Sequence, residues 1–197
     1  VPQVIELLEA DGLIGRVVSG TREELDAVRY EPCFAVLIVL ERPSLITPPG
    51  CIRFLHAADA GPLSPAVGTE DDKFPLAWIA DNRIKGISES SCLTLHATPA
   101  FSRRRFDANP DDVASELIQA ARPWIDGGRT GVVEGVKERV IHRWKYALVA
   151  RGIDKPFLVI HDSPPIAVCG DAFGGPRVEG AADSGQAAGR WLARRIE

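Results

Sequence analysis

The stretch from Pro165 onward constrains the fold more than any other. Residues 165–169 form a short apolar run of strand character, Gly170-Asp171 follows, and Gly174-Gly175-Pro176 leads into a small-residue segment, 178–188, that opens a final helix. In a strand, glycine-rich loop and helix of this kind, Asp171 falls at the carboxyl end of the strand, where open α/β sheets hold ligands. The helix starts with bare backbone N–H groups and small side chains, which suit close approach of a phosphate or a ring carbonyl. The same residues also suit a loop before a helix packed tightly on a sheet. On this stretch alone the two readings stand level.

Composition excludes several classes. A chain of 197 residues, 45% apolar and 25% charged, can bury a core and hold one large or two small domains. With 23 Lys and Arg against 27 Asp and Glu, the net charge of -4 supplies no broad cationic field for nucleic acid or an anionic membrane. The basic run Arg103-Arg104-Arg105 reads as a solvated face rather than a phosphate clamp. The longest apolar stretch, 33–40, falls far short of the ~20 residues that span a bilayer. Neither nucleic acid nor a membrane is expected as a partner.

Cys33, Cys51, Cys92 and Cys169 are widely spread with no Cys-x-x-Cys pair, which speaks against zinc. Each sits in an apolar or strand-like context, so buried free thiols in a reduced, cytoplasmic protein are expected, with a disulfide framework second.

Periodicity orders the chain. Residues 4–9 fit a short helix, 13–19 a strand, 33–41 a central strand and 51–57 another. Residues 59–73 read as a loop; 74–82 and 92–97 are the next strands. Helical signal resumes at Thr98-Pro99. Asn109-Pro110-Asp111-Asp112 is a helix start, with Asn109 as cap, Pro110 at the first position and two carboxylates opposing the dipole. Val113, Leu117, Ala120 and Ala121 then give a core stripe to about Ile125, ended by Asp126-Gly127-Gly128. A strand within 132–149, another at 157–161 and the closing helix complete a mixed α/β (α+β) protein.

Gly170-Asp171, then Val178-Glu179-Gly180-Ala181 and a terminal amphipathic helix, resemble the C-terminal FAD-closing motif of the flavin amine-oxidase superfamily. Trp78-Ile79-Ala80-Asp81-Asn82-Arg83-Ile84-Lys85-Gly86, Leu93-Thr94-Leu95-His96-Ala97 and His142-Arg143-Trp144-Lys145-Tyr146-Ala147 follow in the order seen in renalase-like FAD-dependent oxidoreductases of bacteria. The resemblance runs from Val1 to about Trp191. Such enzymes bind the ADP part of FAD on a Gly-x-Gly-x-x-Gly turn, which this chain lacks; it also lacks methionine. A C-terminal portion is therefore expected, whose partner is a missing N-terminal FAD-binding segment. The resemblance implies a mixed β-sheet substrate-binding domain with helices over 1–150. It implies the C-terminal strand and helix of an FAD-binding Rossmann-like domain over 151–197, with the boundary between about Ala147 and Lys155.

The implied reaction is hydride transfer from a dihydronicotinamide, an isomeric form of NAD(P)H, to FAD, with reoxidation by dioxygen to peroxide. An amine or other substrate of the flavin superfamily, and a cofactor-free binding module, are the alternatives. Flavin chemistry asks the protein for position and exclusion of water, so no catalytic side chain is assigned. Ser-His-Asp order with supporting motifs, His-Glu-x-x-His and Walker A are all absent. By motif match Gly170 and Asp171 meet the ribityl and phosphate side of FAD, while Arg177, Val178, Glu179, Gly180 and Ala181 meet the pyrophosphate and the ring edge. Glu179 is expected to point away or cap a backbone N–H, because its charge opposes that of a reduced ring.

On the substrate side, Trp78, Asn82 and Lys85 combine a flat apolar surface, a two-way amide and a mobile cation. A core Trp78 and a solvated Lys85 are the plainer reading. His96 shares a face with Thr94 and is open to two roles, a satisfied structural histidine or a substrate contact. Trp144 and Tyr146 share a face, opposite Arg143 and Lys145; core packing of the two aromatics is expected over pocket lining.

Overall fold

A computed structural model describes residues 1–10, 12, 20–54, 74–128 and 131–196. The strand expected at 13–19, the loop at 59–73 and the end of the strand expected at 51–57 lie outside the described residues. The chain divides into two compact units, Pro32–Lys145 and a second made of Val1–Glu31 with Tyr146–Glu197. Residues 1–31 thus share a unit with the C-terminal part of the chain, because Leu8, Leu25 and Val28 bury in one apolar cluster with Leu158, Ile160, Val168 and Phe173.

The unit Pro32–Lys145 is built on a sheet. Strands β1 (Arg29–Leu40), β2 (Cys51–Arg53), β3 (Leu76–Asp81), β4 (Cys92–Ala97) and β5 (Val136–Arg151) lie in the order β2-β3-β4-β1-β5. β3 runs antiparallel to β2 and β4, and β4 to β1. Position inside the sheet fits the apolar run 33–40 of β1, most of which is buried. Phe34, Val36 and Ile38 point one way and meet Ile79, Leu93 and Leu95 of the neighbouring strands. Helices α1 (Pro2–Ala10) and α2 (Thr21–Ala27) precede this sheet in sequence, whereas α3 (Pro99–Arg104) and α4 (Pro110–Ile125) cover its Phe34 face. Phe101, Val113, Leu117, Ile118 and Ala121 supply that cover. Burying each large side chain fully contributes about 1.5–3 kcal/mol.

Local chemistry sets the helix starts. The Thr98 side chain accepts from the Phe101 N–H at 3.1 Å, and Asn109 Oδ1 accepts from the Asp111 N–H at 2.8 Å. Pro110 and the carboxylates of Asp111 and Asp112 occupy the first turn of α4 as its sequence predicts. Arg105 pairs with Glu116, while Arg103 and Arg104 are exposed.

In the other unit, β6 (Leu158–Asp162) and β7 (Pro165–Val168) form an antiparallel hairpin, and α5 (Val178–Ile196) follows. Helix α2, which the sequence reading did not find, ties to β6 through Thr21 Oγ1 donating to the Val159 carbonyl at 3.4 Å. Helices and antiparallel sheet together make a mixed α/β protein. No helix among the described residues is long and apolar enough to cross a membrane.

Candidate functional site

The sheet has two faces with different chemistry. One is buried under α3 and α4; the other carries the substrate-side residues singled out in the sequence. Cross-strand partners share a face, so the register Arg53↔Trp78↔His96↔Ala35 is one row and Cys51↔Ala80↔Thr94↔Leu37 the next. Trp78 and His96 stack with ring centroids 5.1 Å apart and planes inclined by 39°. Lys85 Nζ lies 5.2 Å from the centre of the Trp78 ring, within cation–π reach. Trp78 and His96 are half-buried. Burial lowers the His96 pKa below its ordinary value, so the ring is neutral near pH 7 and offers one donor and one acceptor.

The turn after β3 places Asn82 and Lys85. Asp81 is 2% exposed, and its carboxylate accepts from the N–H groups of Arg83 at 2.8 Å and Ile84 at 3.1 Å. The hydroxyls of Ser44 at 2.6 Å and Ser91 at 3.4 Å also donate to it. A buried carboxylate with four donors is well satisfied, and it pins the turn. Asn82 then donates from Nδ2 to Thr94 Oγ1 at 3.0 Å, so its amide lies against the second row rather than in solvent.

Trp144 belongs to the same face. Arg143 donates to the Phe106 carbonyl at 2.6 Å, and its guanidinium covers the Phe106 ring, which in turn meets Phe34 on the helix side. Alternation along β5 therefore turns His142 and Trp144 to the opposite side. Their rings stand 4.1 Å apart. Trp144 is 52% exposed, which corrects the expectation of core packing: β5 stands at the edge of the sheet, and among the described residues no strand flanks its outer side. Trp78, Asn82, Lys85, His96 and Trp144 are thus brought to one side of one unit.

The second constellation lies between β7 and α5. Gly170 donates its N–H to Ser184 Oγ of α5 at 3.0 Å, and Phe173 donates to the Gly170 carbonyl at 3.0 Å. Ser184 is 1% exposed and Phe173 fully buried, so the loop is anchored at both ends. Asp171 Oδ1 accepts from the Tyr30 hydroxyl at 3.0 Å. Burial, with the Asp171 hydrogen bond second, raises the Tyr30 pKa well above its ordinary value, so the phenol is the donor. Tyr146 packs edge-on against Tyr30, with centroids 6.0 Å apart.

Backbone is closest where α5 begins. A Cβ on Gly180 would stand 2.7 Å from the Gly174 carbonyl oxygen and nearer still to that of Gly175, so only glycine lets the loop close on the helix. The N–H groups of Val178, Glu179 and Gly180 have no intrahelical acceptor, as in any first turn. Arg177, Val178 and Glu179 are exposed, and among the described residues no side chain caps these donors. Ala181 donates to the Arg177 carbonyl at 3.0 Å and starts the regular ladder. The arrangement combines a tight backbone approach, donors at a positive dipole end, and a carboxylate with one oxygen committed to Tyr30.

Sequence reasoning passed over Arg53, Tyr30 and Ser184 and gave Thr94 and His142 no role of their own. Register alone brings Arg53 to Trp78, and no local pattern marks Tyr30 or Ser184. The cysteine expectation is corrected in part. Cys33 is buried and burial pushes its thiol up to about 11, but Cys51 and Cys169 are exposed; both lie where a strand ends or stands at the sheet edge. No protein-family model matches this chain.

Proposed function

We propose that this chain is the C-terminal portion of a renalase-like FAD-dependent oxidoreductase that oxidises a dihydronicotinamide. The observation that carries the substrate half is the row Arg53, Trp78 and His96 with Lys85 over the indole. A flat ring stacks on Trp78, the neutral His96 and the Asn82 amide supply polar contacts, and Arg53 and Lys85 attract a phosphate. None of the eight residues in the two rows is acidic. Along these rows a protonated amine therefore meets the cations Arg53 and Lys85, which favours the dihydronicotinamide over an amine substrate.

The cofactor half rests on Gly170, Asp171 and the start of α5. These residues would hold FAD, which would supply a two-electron acceptor for the hydride, with dioxygen and a proton as the final acceptor to give hydrogen peroxide. The backbone donors of Val178, Glu179 and Gly180 hold negative charge at the helix end, and Arg177 stands beside them for the pyrophosphate. Glu179, exposed at the first turn, directs its carboxylate to solvent. The ADP part falls to a segment outside these residues. Four cysteines without a disulfide among them support a reducing, cytoplasmic setting.

The test is anaerobic stopped-flow of the full-length gene product with isomeric dihydronicotinamide nucleotides and, separately, with primary amines. Rapid bleaching of flavin by the nucleotides alone is expected. Bleaching by amines alone would replace the substrate assignment.

A further inference from the structure

Tyr30 and Asp171 are separated by 141 positions in sequence, yet the phenol donates to Oδ1 at 3.0 Å. Such a bond is made only when β1 and the β7–α5 loop have both taken their final places. The ring has little freedom to leave. Tyr146 stacks edge-on against it, and it packs on the apolar cluster of Leu25, Val28 and Phe173. From the other side, the Gly170 N–H bond to Ser184 fixes the backbone that carries Asp171. A half-buried aspartate otherwise turns about two torsions, and a ligand hydroxyl that binds it must freeze both. Here one oxygen is already spent, so the carboxylate plane is set before any ligand arrives. The Tyr30 bond goes to Oδ1, and the Val1 amino group also interacts electrostatically with this carboxylate.

We propose that Tyr30 is a positioning residue for the cofactor, holding Asp171 so that Oδ2 accepts from a hydroxyl of the ribityl chain. This rests on the flavin reading above. Tyr30 touches no cofactor itself; it acts through Asp171. Its raised pKa keeps the phenol protonated through the physiological range, so the bond to Asp171 does not reverse direction.

Four versions of the full-length gene product test this: wild type, Tyr30→Phe, Asp171→Asn and the double variant, each stripped of flavin and titrated with FAD by fluorescence. Tyr30→Phe keeps the ring and deletes one oxygen, and the melting temperature of the flavin-free protein checks the fold. FAD affinity is expected to fall about 5-fold in Tyr30→Phe and about 20-fold in Asp171→Asn. The double variant should bind no more weakly than Asp171→Asn. Wild-type affinity in Tyr30→Phe beside weak binding by Asp171→Asn, or independent losses that multiply in the double variant, would overturn the positioning role and leave the flavin reading standing. Wild-type affinity in Asp171→Asn would overturn the flavin reading at this carboxylate. Should Tyr30→Phe fold poorly, 3-fluorotyrosine at position 30 is the second probe. Its stronger donor should hold or raise FAD affinity, and a fall would contradict the proposal.

Discussion

Gly180 sits so close beneath Gly174 that any Cβ on it would come 2.7 Å from the Gly174 carbonyl oxygen. A methyl group has no side chain to push aside there, only backbone. Gly180→Ala must therefore move the loop or the first turn of α5, at a cost of about 1–3 kcal/mol. Chemical denaturation should register that loss. FAD affinity should fall with it, since the donors of α5 are displaced. A variant as stable as wild type would mean that the loop yields freely.

Asp81 organises the turn that presents Asn82 and Lys85. Asp81→Ala strands two N–H groups and two hydroxyls around a buried site, and should cost about 3 kcal/mol. Asp81→Asn keeps an oxygen for the Arg83 and Ile84 N–H groups, and the Ser44 hydroxyl can rotate to accept, so its loss should be smaller. Urea unfolding of the two variants side by side gives the comparison.

Stability should also depend on His96. Burial depresses its folded-state pKa below the ordinary value of about 6.5. As pH falls through that value the unfolded chain takes up the proton first, so stability is lost progressively down to the folded-state pKa. Above about pH 6.5 the contribution is complete. His96→Gln removes the titration, and its urea midpoint should fall less steeply over that window. Equal slopes would show that His96 titrates normally.

Lys85 tests the charge of the substrate. Lys85→Met keeps the length and apolar stem but removes the cation near Trp78. KM for a dihydronicotinamide nucleotide should rise about 10-fold while kcat changes little, because a phosphate contact is made equally in ground and transition states. An unchanged KM would place the phosphate elsewhere.

Much of the fold could be read from the sequence because its signals are local. Asn109, Pro110 and Asp111 start α4 through contacts within one turn, and the apolar run of β1 needs only its own residues to announce an interior strand. Helix α2 gave no such signal. Its seven residues bury Thr21 and Leu25 alone, too few for a stripe, and Gly20 before it offers no side-chain cap. Candidate residues could be named one by one from the sequence, but their arrangement could not. Trp78 and His96 meet through strand register, Arg53 joins them the same way, and the Tyr30 bond to Asp171 spans most of the chain. Trp144 was misjudged because alternation shows which residues share a face, not whether the strand stands at an edge.

The measurement closest to the central claim is the visible absorption spectrum of the full-length gene product, as purified and after incubation with FAD, followed through anaerobic addition of a dihydronicotinamide and readmission of air. Oxidised-flavin bands that bleach with the reductant and return with oxygen are the predicted result. A colourless protein that takes up no added FAD would contradict the account and leave a cofactor-free binding module in its place.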